Sequence, residues 1–255
     1  MVRKNKRYHY QKRKSIFKRR WFWYAILIIF LMGGISYFLF KTSYFEIKNV
    51  EVAGEEEKIV EEVKKMIENK NFFLLSASMI STKISETFPQ VKEVTIEKHF
   101  PDAVSAQILE RQAAAIFCPQ RESESCFLIS KEGIIFNTSE RKNDLILIFS
   151  SGLDELNLGK QVIEKALMED IILLSQELNN SKIIIKEIEI LPLEIKAKTE
   201  QGFFIYFSKS VPIKNQIEIL LTTLQKTISN EEQKNLQYID LRGLKENQRG
   251  IIYWQ

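Results

Sequence analysis

Cys118 and Cys126 are the only cysteines in this 255-residue chain, and they flank a polar segment at residues 119–125. If residues 115–118 and 126–129 pair as antiparallel strands, the two sulfurs can meet across the hairpin and a disulfide can close it. Two buried free thiols are the alternative. Histidine is equally sparse, with His9 in a basic leader and His99 at the end of a predicted strand. A lone strand-end His is ordinarily a surface or capping residue. There is no H-E-x-x-H, no G-x-S-x-G and no closely spaced His or Cys set, so no catalytic residue, no metal site and no cofactor is expected. Gly159-Lys160 has the last letters of a phosphate-binding loop, but Gly152 stands too far back and Gln161 replaces the required Ser or Thr. The 33 Asp and Glu residues leave a carboxylate pair for glycan hydrolysis open. Their ordinary placement on solvated faces is the simpler expectation.

The residues that could act must be positioned by the rest of the chain, and its strongest signal is an uncharged apolar run at residues 21–40. Twenty residues of helix span roughly 30 Å, the hydrocarbon thickness of a bilayer. One membrane crossing is predicted. Ten Lys or Arg and no acid precede the run, which by the positive-inside bias keeps residues 1–20 in the cytoplasm. A cleaved secretory signal would have a shorter core, ~7–15 residues, and a small-residue cleavage site. Here the run continues through Tyr37-Phe38-Leu39-Phe40 with no A-x-A pattern, so a retained anchor is expected. Trp21, Trp23 and Tyr24 at one end and Tyr37 and Tyr44 at the other suit interfacial aromatic belts. Gly33, Gly34 and Ser36 either form a close helix contact or face lipid.

The formal charge of +4 conceals a split, because without the leader 27 basic residues stand against 33 acidic ones, a balance of about −6. A mildly acidic exported part argues against a nucleic-acid surface there. The leader is read as a topology signal that also suits anionic headgroups.

Residues 45–52 alternate apolar and polar and predict a half-buried strand ended by Gly54. Ile59, Val63, Met66 and Ile67 then mark one helix face. Ile80, Ile84 and Phe88 mark a second helix that stops before Pro89. Strands at residues 94–96 and 104–110 follow, joined by a turn at Pro101-Asp102. This strand-helix-helix-strand-strand order makes a compact α+β unit of about seventy residues. Beyond Ala114, strands are predicted at residues 115–117, 127–129, 134–136 and 145–149. Further strands fall at 183–190, 193–197 and 203–207. Helices are marked by Ile163, Leu167, Leu174 and Leu178, and by Ile213, Ile217, Leu220, Leu221, Leu224 and Ile228. Tyr238, Ile239, Asp240, Leu241 and Arg242, then Gly250, Ile251, Ile252, Tyr253 and Trp254, suggest a final hairpin.

Several short motifs carry a family likeness. Phe45-x-Ile47-x-x-Val50-x-Val52-x-Gly54 follows the apolar run. Phe100-Pro101-Asp102-Ala103-Val104 leads to Ile108-Leu109-Glu110-Arg111. Leu128-Ile129-Ser130-Lys131-Glu132-Gly133-Ile134-Ile135-Phe136 reads as a hairpin, and Tyr238-Ile239-Asp240-Leu241-Arg242 comes near the end. Together and in this order they resemble the FtsQ/DivIB family of bacterial cell-division proteins, over essentially the whole chain. Two departures are local: Gln112-Ala113-Ala114-Ala115 replaces the family's usual Pro and larger apolar residue, and Ser130 stands where Asp is common.

The resemblance implies an α+β protein with a basic cytoplasmic tail (1–20), a transmembrane helix (21–40), a POTRA domain of β-α-α-β-β order (43–112) and a mainly β domain with flanking helices (113–255). It further implies a non-enzymatic divisome scaffold in the cytoplasmic membrane at the septum. Its partners would be FtsB- and FtsL-type single-pass proteins, other divisome proteins through the POTRA domain, and the lipid bilayer through the anchor. In the family the FtsB-binding surface lies on the C-terminal part of the β domain. Here that points to Tyr238, Ile239, Asp240, Leu241 and Arg242 and to Gly250, Ile251, Ile252, Tyr253 and Trp254, with Tyr253 and Trp254 as aromatic anchors. Ile239, Leu241 and Ile252 could instead face the core, and Arg242 could be solvated or paired within the molecule. The competing classes are a POTRA-containing transport or assembly component and a membrane-anchored wall hydrolase.

Overall fold

A computed structural model describes residues 20–123, 125–141, 145–150, 156–226, 235–244 and 253–254. Residues 1–19 with His9, as well as Gly152, Ile228, Gly250, Ile251 and Ile252, lie outside the described residues. The apolar run forms one helix, α1 (Arg20–Lys41), none of whose side chains is buried. It is long and apolar enough to cross a membrane.

A short 3-10 turn (Ser43–Phe45) links α1 to a three-stranded sheet with two helices. The strands are β1 (Asn49–Ala53), β2 (Val91–His99) and β3 (Ala103–Glu110), in the order β1-β3-β2. β1 runs parallel to β3, and β2 antiparallel to it. Helix α2 (Glu57–Ile67) buries Ile59, Val63 and Ile67, which recur every four residues on one face. Helix α3 (Ala77–Thr87) starts where Ser76 Oγ accepts from the Met79 N–H at 3.4 Å. It stops because Phe88, held extended before Pro89, cannot continue the helix. These helix residues pack with Ile47, Leu75, Ile84, Val91, Val94, Val104, Ala106 and Ile108 in one core.

One sequence expectation needs correction here. The strand expected from residue 45 begins only at Asn49, because Phe45 and Ile47 bond to the loop between α2 and α3 instead of to β3. The Phe72 N–H donates to the Phe45 carbonyl at 2.8 Å, the Ile47 N–H to the Lys70 carbonyl at 2.9 Å and the Asn69 N–H to the Ile47 carbonyl at 3.1 Å.

Only Arg111 and Gln112 separate β3 from the second sheet, which has nine strands among the described residues. These are β4 (Ala113–Cys118), β5 (Cys126–Ser130), β6 (Ile135–Ser139), β7 (Leu147–Ser150), β8 (Ile185–Ile190), β9 (Glu194–Thr199), β10 (Phe204–Ser208), β11 (Tyr238–Asp240) and β12 (Tyr253–Trp254). Their spatial order is β12-β11-β10-β9-β8-β7-β4-β5-β6. Helix α4 (Lys165–Asn180) connects the parallel neighbours β7 and β8, and α5 (Ile213–Lys226) lies between the parallel neighbours β10 and β11. Parallel neighbours need such crossovers, since a tight turn can join only antiparallel strands. Both helices cover the same sheet face, where Met168, Ile171, Leu174, Leu178, Ile217 and Leu220 meet Ile188, Ala197, Ile205 and Ile239. On the opposite face Ile116, Cys118, Cys126 and Phe149 form a smaller cluster. The molecule is mixed α+β: an apolar helix, a small α/β unit and a larger sheet domain with helices.

Candidate partner-binding edge

In β9 and β10 every second residue is buried against α4 and α5, so the intervening side chains line the helix-free face. Glu194, Lys196, Lys198, Phe204 and Tyr206 stand there half-buried. Tyr238 and Asp240 of β11 continue the row, because Phe204 is in register with Tyr238 and Tyr206 with Asp240. Rings and cations interleave across the strands. Lys196 Nζ lies 4.5 Å from the Phe204 ring centroid and 5.6 Å from that of Tyr206, and Tyr206 meets Tyr238 edge-on at 6.2 Å. Each such cation–π contact contributes ~0.5–1 kcal/mol at an exposed site.

Arg242 closes this row. Its Nη2 and Nε donate to the two carboxylate oxygens of Asp240 at 2.6 and 2.9 Å, its Nη1 donates to Glu194 at 2.6 Å, and its Cζ lies 4.7 Å from the Tyr206 ring centroid. The side-chain bonds from Arg242 lower the Asp240 carboxyl pKa against the opposing effect of burial. The guanidinium is therefore paired within the molecule. Ile239 and Leu241 are wholly buried on the helix side and belong to the core.

Strand β12 pairs antiparallel with β11, Trp254 opposite Ile239 and Tyr253 opposite Asp240. It is the last strand at that end of the sheet among the described residues, whereas β11 is flanked on both sides. Of the candidate residues, Tyr238, Ile239, Asp240, Leu241, Arg242, Tyr253 and Trp254 come together here. Glu194, Lys196, Phe204 and Tyr206 join them although no motif marks them. Alternation placed them on one face of β9 and β10, but nothing local tells which strand lies beside β11.

The two cysteines lie elsewhere. Cys118 at the end of β4 and Cys126 at the start of β5 form a disulfide with an S–S distance of 2.04 Å, and β10, β9, β8 and β7 separate β4 from β11. Arg121, in the loop they close, donates to Glu187 at 2.6 Å and to Glu189 at 3.2 Å and stacks 4.7 Å from the Phe149 ring. His99 Nε2 and Ser105 Oγ, on adjacent strands, are 2.9 Å apart. The Gly159 N–H donates to the Ile135 carbonyl at 2.7 Å and the Lys160 N–H to Asn157 at 3.1 Å, which commits both amides to the protein.

The junction between the two sheets is held by charge. Glu132, in the β5–β6 turn, accepts from Lys92 of β2 at 2.9 Å and from Arg111 at 3.4 Å. Burial pushes the Glu132 carboxyl up, but bonds from Lys92, Ser130 and its own backbone outweigh it and lower the pKa to about 2.

Residues 40–111 match the family described as POTRA domain, FtsQ-type. No curated protein matches the chain. POTRA domains of this type generally belong to non-enzymatic scaffolds, and the match supports a division-associated scaffold role with protein–protein interaction in general. Helix α1 in turn suggests a single-pass membrane anchor. An N-terminal apolar helix, an FtsQ-type POTRA domain directly after it and a larger β-sheet domain beyond fit a protein of the FtsQ/DivIB family.

Proposed function

We propose that this chain is a non-enzymatic scaffold of bacterial cell division that binds FtsB- and FtsL-type single-pass partners and helps coordinate septal peptidoglycan synthesis. The basic leader stays in the cytoplasm, α1 crosses the membrane, and both sheet domains lie outside it, concentrated at the septum. The POTRA domain docks other divisome proteins. A partner segment is added as a strand at β12, and Tyr238 of β11 stands one strand in from it, at the near end of the row that Tyr206, Phe204 and Lys196 continue. The observation that carries this reading is the terminal position of β12 among the described residues. A strand at a sheet end has one row of N–H and C=O groups without a neighbouring strand, and such a row recruits another chain. Tyr and Trp, the residue types of β12, are among those that dominate interface energetics.

The test places Pro at Tyr253 or Trp254, the residues of β12, and measures binding to an FtsB-type partner, with the fold checked by circular dichroism. Binding falls in a folded variant if strand addition operates, since Pro removes a backbone donor. Unchanged affinity in the folded variant would defeat the edge-strand reading. Depletion followed by microscopy checks the cellular role, for which filaments with unfinished septa are expected.

A further inference from the structure

Three segments far apart in sequence meet where α1 ends. They are the 3-10 turn (Ser43–Phe45), the loop between α2 and α3, and the turn between β2 and β3 at Phe100. A chain of rings connects them. Phe38, in the last turn of α1, lies 5.7 Å from Phe45 and 6.5 Å from Tyr44 between ring centroids. Phe45 is the buried hub and touches Phe73 at 5.1 Å and Phe100 at 6.0 Å. The outer members are open: Phe100 is 68% exposed, Leu74 66% and Tyr44 61%, with Phe73 also exposed. A run of exposed aromatic and aliphatic side chains this concentrated is unusual on a soluble surface and marks a contact.

The depth of this patch follows from α1. Its 22 residues are ~33 Å long, close to the ~30 Å of a bilayer core, so Leu39 stands at the hydrocarbon boundary. Asn71 Nδ2 donates to the Leu39 carbonyl at 2.9 Å, which sets the α2–α3 loop at that same level. The loop is also fixed from behind, because Lys98 Nζ donates to the carbonyls of Phe72 and Leu75 and lies 5.5 Å from the Phe72 ring. The side chains of Phe73 and Leu74 therefore project from a rigid loop at membrane depth.

We propose that Tyr44, Phe73, Leu74 and Phe100 form an apolar foot that inserts into the interfacial layer of the bilayer beside α1, so that the POTRA domain stands on the membrane. This rests on α1 spanning the membrane. Aromatic rings prefer this zone, where the ring body meets acyl chain and the edge meets headgroup. A POTRA domain held at two places, by α1 and by the foot, has one orientation to the membrane plane, and β3 then directs the second sheet away from the bilayer.

The full chain in phosphatidylcholine vesicles with a minority of phosphatidylglycerol tests this. Single Trp residues are introduced as Leu74→Trp, Phe100→Trp, Leu193→Trp and Phe30→Trp, and the emission each adds over the parent chain is measured without brominated lipid, with lipid brominated near the glycerol end and with lipid brominated near the acyl-chain terminus, because Phe30 stands at the middle of α1. Emission from Leu74→Trp and Phe100→Trp is expected to be blue-shifted and quenched by the glycerol-end bromines at least half as strongly as that from Phe30→Trp is by the terminal bromines. Emission from Leu193→Trp, at an exposed position of the second sheet domain, stays unquenched. Unquenched, red-shifted emission at both Leu74→Trp and Phe100→Trp, with Phe30→Trp quenched, overturns the foot and leaves the span intact. Unquenched emission from Phe30→Trp overturns the span itself and the foot with it.

Discussion

The Asn71 side chain bonds to the Leu39 carbonyl at 2.9 Å through Nδ2, while its Oδ1 accepts from the Phe73 N–H at 2.9 Å. One residue thus ties the POTRA domain to the end of the apolar helix and shapes the loop that does so. The two bonds separate by substitution. Asn71→Ala loses both and is expected to cost ~1–2 kcal/mol. Asn71→Ser keeps an acceptor for the Phe73 N–H and loses the donor to Leu39, so its cost is smaller. Thermal unfolding of the full chain in detergent checks this, and equal losses for the two variants would show that the Oδ1 turn contributes nothing.

Glu132 gives the junction between the sheets a pH dependence. Its folded pKa of about 2 lies below the ordinary ~4.3 of an unfolded Glu. The stabilisation is therefore complete above the unfolded value and is lost as pH falls from ~4.3 towards 2. Because the Glu132 side chain is 27% exposed and Lys92 more so, the expected contribution is only ~1 kcal/mol. Denaturant midpoints recorded across that range are expected to fall less steeply in Glu132→Gln than in the parent, and parallel curves would remove the idea.

The disulfide closes a short loop, and the chain-entropy estimate for that length is roughly 2–3 kcal/mol. We expect the Cys118→Ala/Cys126→Ala double variant to unfold at correspondingly lower denaturant. Mass spectrometry of non-reduced native protein should find no alkylatable thiol; two would mean that the native cysteines are free.

Gly133 and Gly202 both have positive φ, at +78° and +101°, yet they should respond differently to alanine. A Cβ on Gly133 would stand 1.9 Å from the Ile163 carbonyl oxygen, whereas nothing lies within 4 Å of one on Gly202. The carbonyl cannot retreat freely, because Gly133 O also accepts from the Val162 N–H at 2.9 Å. Gly133→Ala is expected to cost ~3 kcal/mol or more and Gly202→Ala about 1 kcal/mol, which equilibrium unfolding would distinguish.

What the sequence determined by itself was local. The apolar run of α1, the four-residue recurrence of Ile59, Val63 and Ile67 and the alternation of β9 and β10 all follow from side-chain periodicity within one element, and such periodicity is written in neighbouring letters. The placement of Ile239 and Leu241 on a buried face could be weighed in the same way, and the motifs behind the apolar run carried the family likeness. Tertiary structure decided whatever depends on which element lies beside which. Residues 45–47 alternate like a strand, yet their backbone bonds go to residues 69–72. Helix α4 sets β7 beside β8 and α5 sets β10 beside β11, while the β5–β6 excursion returns the chain to place β7 along β4, so Arg242 meets Glu194 from a strand two places away. Phe73 and Phe100, far from α1 in sequence, share the Phe45 ring beside its end. Strand neighbours are chosen by burial of the whole sheet face and by long-range chain closure, and no single stretch of sequence encodes either.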